Sequence, residues 1–338
     1  MKKRAFSGIQ PSGVPTVGNY FGALKNWVSM QNDYDCVFSV VNLHAITQRF
    51  DADVLRERTR YLYALLLAIG LDPRRSLLFV QSQVPQHCEL TWVLNCYTMQ
   101  GELSRMTQFK EKSLKRPENV NVGLFDYPVL QAADILLYDS DVVPVGQDQK
   151  QHVEISRDIA ERFNGLYGDV FVVPEPVIPP IGGKVLSLLD PARKMDKSDP
   201  LPGAYLSMAD DADTVMKKCK RAVTDSEASV RYDPAAKPGV SNLLSLYAMC
   251  TGQTPQEAER DFEGQGYGVL KPAVAEAVNA VLGPVQARIR AYTDDPAQLD
   301  ALMEDGAARA EAMAAKTLAR VWQAVGLTGR PAKGGASC

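Results

Sequence analysis

The chain has 338 residues, 46% of them hydrophobic, enough for a sizeable core and, on length alone, two domains. A formal net charge of −3 argues against a surface coated for non-specific nucleic-acid binding. No run reaches the ~20 apolar residues of a bilayer span, six cysteines without a CxxC or CxxxC pair fit a reducing cytoplasm, and three histidines far apart in sequence (His44, His87, His152) suggest neither a zinc cluster nor a His-based triad by local spacing.

Four short β-like runs, "AFSGI", "CVFSVV", "SLLFVQS" and "DVVPVG", alternate with helical patterns in the first half, which reads as βαβ and a parallel sheet. After the first run come Gly8, Pro11, Ser12, Gly13 and Pro15, then an amphipathic helix beginning near Gly18. Glycines at such a strand-to-helix turn let backbone N–H groups approach a phosphate. Thr16 and Asn19, three apart, would share one side of the entering turn and offer neutral donors. Between the second and third runs, Leu55, Leu62, Leu65, Leu66 and Ile69 fall at helical spacing, with Asp51 as N-cap and Gly70 as stop.

"DYPVLQAADILLY" is apolar around nearly its whole circumference, so it should be buried, with Asp134 in its middle. A buried carboxylate without a partner is costly, and the partner is either an arginine of the fold or a donor on a ligand. The fourth β-like run ends at Gly146. A helix marked by His152, Ile155, Ile159 and Phe163 follows, with Gln147, Asp148 and Gln149 in its first turn, where Asp148 is placed to hold ribose hydroxyls or to serve as an ordinary helix-start acid. "ARKMDKSDP" (192–200) reads as a solvated, doubly cationic turn. From about residue 205 the β signals stop. The clearest helix is the last, with Ala310, Met313, Ala314, Thr317, Leu318, Val321 and Val325 in one stripe and Gly326 beyond it. The densest basic stretches are "FKEKSLKR" and "KKCKR".

"GIQPSG", "TVGN", "HAIT", "GELSRMTQFKEKS", "AADILLY", "PVGQDQKQH", "KMDKSDP", "AVTDSE", "AKPGVSNLL" and "EGQGYG" together resemble the bacterial tryptophanyl-tRNA synthetases, a family of class I aminoacyl-tRNA synthetases. Thr16 to Asn19 resemble the family's form of the HxGH signature, and Lys194 to Ser198 its KMSKS loop. The resemblance implies an α/β fold, a Rossmann-like parallel-sheet nucleotide-binding domain (1–194) with a helical anticodon-binding domain (195–284) and a C-terminal helix (about 285–328) packing back on the first. It implies activation of tryptophan by ATP, with Mg²⁺ on the phosphates, followed by transfer to tRNA. Catalytic roles fall on Thr16, Asn19, Lys194, Lys197 and Ser198. ATP contacts fall on Gln10, Pro11, Ser12, Gly18, Asn19, Gly146, Gln147, Asp148, Val185 and Lys194 to Ser198, including Met195 and Asp196. Asp134 matches the acceptor of the indole N–H, with Phe6, Tyr127, Gln149 and His44 around the amino acid. A homodimer formed through the helices around 86–137 is implied as well.

The pattern departs from the family at Gln131, Gln147, Asp196 and Asn42-Leu43. Asp196 adds an anion beside the polyphosphate, so its side chain is expected to turn away or pair with a lysine. The other readings are a tyrosyl-tRNA synthetase, against which "GQDQKQH" speaks, and a non-catalytic paralogue binding tRNA or tryptophan, against which the two loop lysines and "TVGN" speak.

Overall fold

The computed structural model describes residues 2–115, 117–146, 149–177 and 185–328, with the side chains of 112 and 115 left aside. All four β-like runs form strands: β1 (Arg4–Ile9), β2 (Asp35–Val40), β3 (Leu77–Val80) and β4 (Val142–Pro144). A fifth, β5 (Glu175–Val177), was not legible, because it is three residues long and carries Pro176. Proline is tolerated on an edge strand, and β5 is one. The sheet is parallel throughout, in the order β3-β2-β1-β4-β5, with Ala5 paired to both Cys36 and Val142.

Successive strand residues serve opposite faces. Ala5, Phe38 and Leu78 enter one apolar core, and Phe6, Val37 and Phe79 the other. Both faces are therefore covered, as a parallel sheet requires. On the first face lie α1 (17–30, with a π-helical stretch at Tyr20–Leu24) and α3 (Ala52–Ala68), while α2 (Asn42–Ala45) is a single turn after β2. Asp51 caps α3 by accepting from Asp53 N–H and Val54 N–H, and Gly70 ends it at φ +112°. On the second face lie α4 (Gln86–Asn95), α7 (Val122–Leu136) and α8 (Lys150–Tyr167), with α5 (Gln100–Ser104) and α6 (Thr107–Lys115) between α4 and α7.

The second half is helical, with α9 (Ala212–Arg221), α10 (Pro238–Thr251), α11 (Pro255–Asp261), α12 (Tyr267–Thr293) and α13 (Pro296–Val325). The expected stripe on α13 buries Ala310, Ala314, Thr317, Leu318 and Val321, and Gly326 closes the helix at φ +78°. The boundary expected at 284–285 lies inside α12, which continues past Pro284 because Gly283 and Pro284 are exposed and crowd no neighbour. The first part of α12 packs on α9 and α10, and the second part on α3. One helix thus carries the chain back to the nucleotide domain.

Candidate active site

Strand order reverses between β1 and β4, and ligands of open α/β sheets bind at such a switch point, beyond the carboxyl ends of the strands. A cavity of about 330 Å³ lies there. Its walls are Phe6, Ser7, Gly8 and Gln10 from β1, Val143 to Gly146 from β4, Gln131, Asp134 and Ile135 from α7, and Ala23 and Trp27 from α1, with Val41, His44 and Gln149 completing them. Gly8 is required here, since a Cβ would stand 2.8 Å from Val41 Cγ1. Phe6 is held flat by stacking on Tyr138, centroids 5.8 Å apart.

Asp134 is 1% exposed, as the apolar run of α7 led us to expect. In place of an arginine of the fold, one of the two partners considered, three donors from three other elements face it. Gln81 Nε2 and His87 Nδ1 donate to its Oδ1, each at 2.6 Å, and His44 Nε2 donates to its Oδ2 at 2.7 Å. Burial alone would raise this carboxyl, but His44 and then His87 outweigh it and hold it at about 2. An ionised carboxylate only accepts, so each nitrogen facing it carries the hydrogen. His87 Nε2 is in turn bonded to the Tyr138 hydroxyl at 2.8 Å.

The carboxylate therefore does not wait for a ligand to compensate it, which corrects the sequence expectation. Two oxygens offer about four acceptor positions. Three are filled by these donors, and Asp134 and His44 both line the cavity.

Among the other residues expected around the amino acid, Phe6, His44 and Gln149 line this cavity and Tyr127 does not. Tyr127 lies one turn before Gln131 on α7. Its hydroxyl is bonded to His152 Nε2 at 2.8 Å, its ring meets His44 edge-on, and it lines a neighbouring cavity of about 400 Å³ with Trp92 and Ile46. The three histidines, dispersed in sequence, thus converge on Asp134 and Tyr127.

Of the residues expected at ATP, Gln10 and Gly146 line the cavity, whereas Gln147 and Asp148 lie outside the described residues. Thr16 is fully buried and caps α1: its hydroxyl donates to Asn19 Oδ1 (3.2 Å) and accepts from Asn19 N–H (3.1 Å), while Thr16 N–H donates to Asn19 Oδ1 (2.9 Å). In this structure the Thr16 hydroxyl is engaged in the cap. Asn19 Nδ2 makes no hydrogen bond among the described residues. Pro11 is buried, and the Ser12 carbonyl accepts from Arg58 (3.3 Å).

The 194–198 loop lies against this turn. A Cβ on Gly18 would be 3.3 Å from Val185 Cβ and 3.7 Å from Met195 Cβ, so glycine permits the close approach. Val185 and Met195 are buried at 2% and 3% in the first core and do not line the cavity. Lys197 reaches the Gly13 carbonyl at 3.5 Å, and burial, with Arg58, lowers its pKa against the opposing pull of Asp196. Asp196 Oδ1 accepts from Ser198 N–H (2.9 Å) and from the Ser198 hydroxyl (2.8 Å), so it braces the loop from within. Lys194 is exposed and makes no ion pair among the described residues. Gln81 and His87 were missed by sequence reasoning. The available signal for Gln81 was a polar residue directly after the buried run "LLFV", at the carboxyl end of a strand.

A family model for tRNA synthetases class I (W and Y) matches residues 1–283. Among solved structures, the tryptophanyl-tRNA synthetase of Mycoplasma pneumoniae is 34% identical, with 97% of this chain and 99% of that chain covered and a TM-score of 0.86. That of Campylobacter jejuni, solved with ADP and tryptophane, is 32% identical, with 96% and 100% covered and a TM-score of 0.85. A tyrosyl-tRNA synthetase from Aeropyrum pernix is 20% identical at a TM-score of 0.65 and shares the fold alone.

Proposed function

Since the chain belongs to the class I tRNA synthetases for tryptophan and tyrosine, we infer that it is a tryptophan–tRNA ligase. It joins tryptophan to ATP as tryptophanyl-adenylate, releasing pyrophosphate, and transfers the tryptophanyl group to a terminal ribose hydroxyl of tRNA. The observation that carries this reading is the ionised, buried Asp134, held by His44, Gln81 and His87 at the wall of a switch-point cavity. The tryptophan side chain offers a single donor, its indole N–H. Phe6, Ile135 and Trp27 give the ring an apolar lodging, and Gln131 and Gln149 supply polar edges.

The tryptophan carboxylate attacks the α-phosphorus already ionised, so the first step needs no protein base. Rate acceleration then rests on alignment and on charge placed where it develops. The start of α1 contributes its dipole and the Asn19 amide to the phosphates, and Gly146 flanks the nucleotide at the end of β4. Lys194 and Lys197 draw off the departing pyrophosphate. Mg²⁺ enters with ATP as part of the substrate, carried mainly by phosphate oxygens.

The exposed Lys217, Lys220 and Arg221 at the end of α9 suit tRNA phosphates in the helical half. Exposed Trp92 (72%), Ile46 (60%) and Val122 (80%), around the cavity behind Tyr127, suit a homodimer contact. Among the described residues no helix is long and apolar enough to cross a membrane, and we assign the enzyme to the cytoplasm. Tryptophan-dependent exchange of labelled pyrophosphate into ATP tests the activity. Exchange supported by tyrosine instead, or none at all, would refute it.

A further inference from the structure

We propose that Asn242, in the helical half, is a positioning residue for the 194–198 loop. The proposal rests on the reading of that loop as the ATP-phosphate loop. Asn242 lies on α10 and is 4% exposed. Its Oδ1 accepts from Leu186 N–H at 2.8 Å, and its Nδ2 donates to the Leu186 carbonyl at 3.0 Å, so one side chain takes both polar groups of one backbone residue.

Leu186 stands opposite Lys194 in an antiparallel bridge. Met195 N–H donates to the Val185 carbonyl (3.0 Å), and Ser187 N–H donates to the Arg193 carbonyl (2.9 Å). The residues on either side of Leu186 are therefore bonded to the base from which both lysines project, and Leu186 itself is bonded to Asn242. The helix around Asn242 is apolar, burying Val240, Leu243, Leu244 and Leu246. An aliphatic side chain at this position would leave the Leu186 N–H and carbonyl without these two partners. The two bonds to Leu186 are what the amide is placed for. Without them the base of the loop loses its register, and both ammoniums shift together relative to the triphosphate.

Pyrophosphate exchange by the full-length enzyme tests this in five forms: wild type, Asn242→Ala, Asn242→Asp, Lys197→Ala and the Asn242→Ala/Lys197→Ala double variant. Asn242→Ala is expected to lower kcat/KM for ATP by about 10- to 100-fold, as misplacement by an ångström does, with KM for tryptophan changed by less than about threefold. Asn242→Asp keeps the acceptor for Leu186 N–H but turns a carboxylate oxygen to the Leu186 carbonyl where Nδ2 donated, and should lose at least as much as Asn242→Ala. The double variant should fall short of the product of the two single losses, because part of the Asn242→Ala loss acts through Lys197. Wild-type ATP kinetics in Asn242→Ala alongside a slow Lys197→Ala overturns the proposal, as do equal losses for ATP and tryptophan. An unchanged Lys197→Ala refutes the loop reading itself, a distinct failure. If Asn242→Ala does not fold, the Asp variant decides; if neither folds, the role is one of stability and the proposal fails.

Discussion

Asp134 shows how the magnitude of an effect decides its meaning. Had the substrate been its only partner, rejection of phenylalanine would rest on a stripped buried charge, about 3–5 kcal/mol. With His44, Gln81 and His87 in place, the proposed indole contact makes phenylalanine forfeit one charge-assisted hydrogen bond, about 1.5–3 kcal/mol. Discrimination through this contact should then be about 10- to 100-fold, and competition between the two amino acids in adenylate formation measures it. Asp134→Ala leaves two histidines and an amide facing no acceptor. It should lose about 3 kcal/mol or more of stability and weaken tryptophan binding far more than ATP binding. A carboxyl held at about 2, below its ordinary 3.8, stabilises the fold at neutral pH, and that stabilisation fades as pH falls through about 4 to 2. Urea melts over that range should show a shallower acid-side loss for Asp134→Asn than for wild type. The burial of Asp134 was legible in "AADILLY", but its partners were not: Gln81, His87 and His44 lie 53, 47 and 90 positions away, and no local pattern encodes such a meeting.

At the scale of elements, two helix glycines make opposite demands. Gly306 of α13 lies against β3, where a Cβ would stand 2.0 Å from the Leu78 carbonyl oxygen and 3.2 Å from the Tyr63 hydroxyl, which itself donates to Leu78 O and Leu302 O. Gly306→Ala must push helix and strand apart and should cost about 3 kcal/mol or more. Gly283 of α12 has open space around its missing Cβ, so Gly283→Ala should stabilise by about 0.5–1 kcal/mol. Equilibrium unfolding of both variants checks the contrast. The apolar stripes of α3 and α13 were readable because period 3.6 and their caps agree. The short β5 was not, because its register comes from β4, with Val142 opposite Glu175, and three residues give no periodicity.

For the whole molecule, the order of the strands does most to define the site. It brings the carboxyl ends of β1 and β4 side by side and leaves a crevice that α7 floors, with the 194–198 loop against the turn that leads into α1. The sheet class was legible from alternating strand-like and helix-like runs, but the unbroken course of α12 through 284–285 was not. The apolar surface around Trp92 belongs to this scale too. Under the proposed homodimer contact, Trp92→Asp should lower the mass in sedimentation velocity to that of a monomer, and an unchanged mass would remove that face as the contact.

The measurement closest to the central claim is tryptophan-dependent pyrophosphate exchange, run with tryptophan, tyrosine and phenylalanine on the wild type and on Asp134→Ala. The expected result is rapid exchange with tryptophan alone and a collapse of that preference in the variant. Exchange driven by tyrosine, or a variant that keeps wild-type selectivity, would contradict the account.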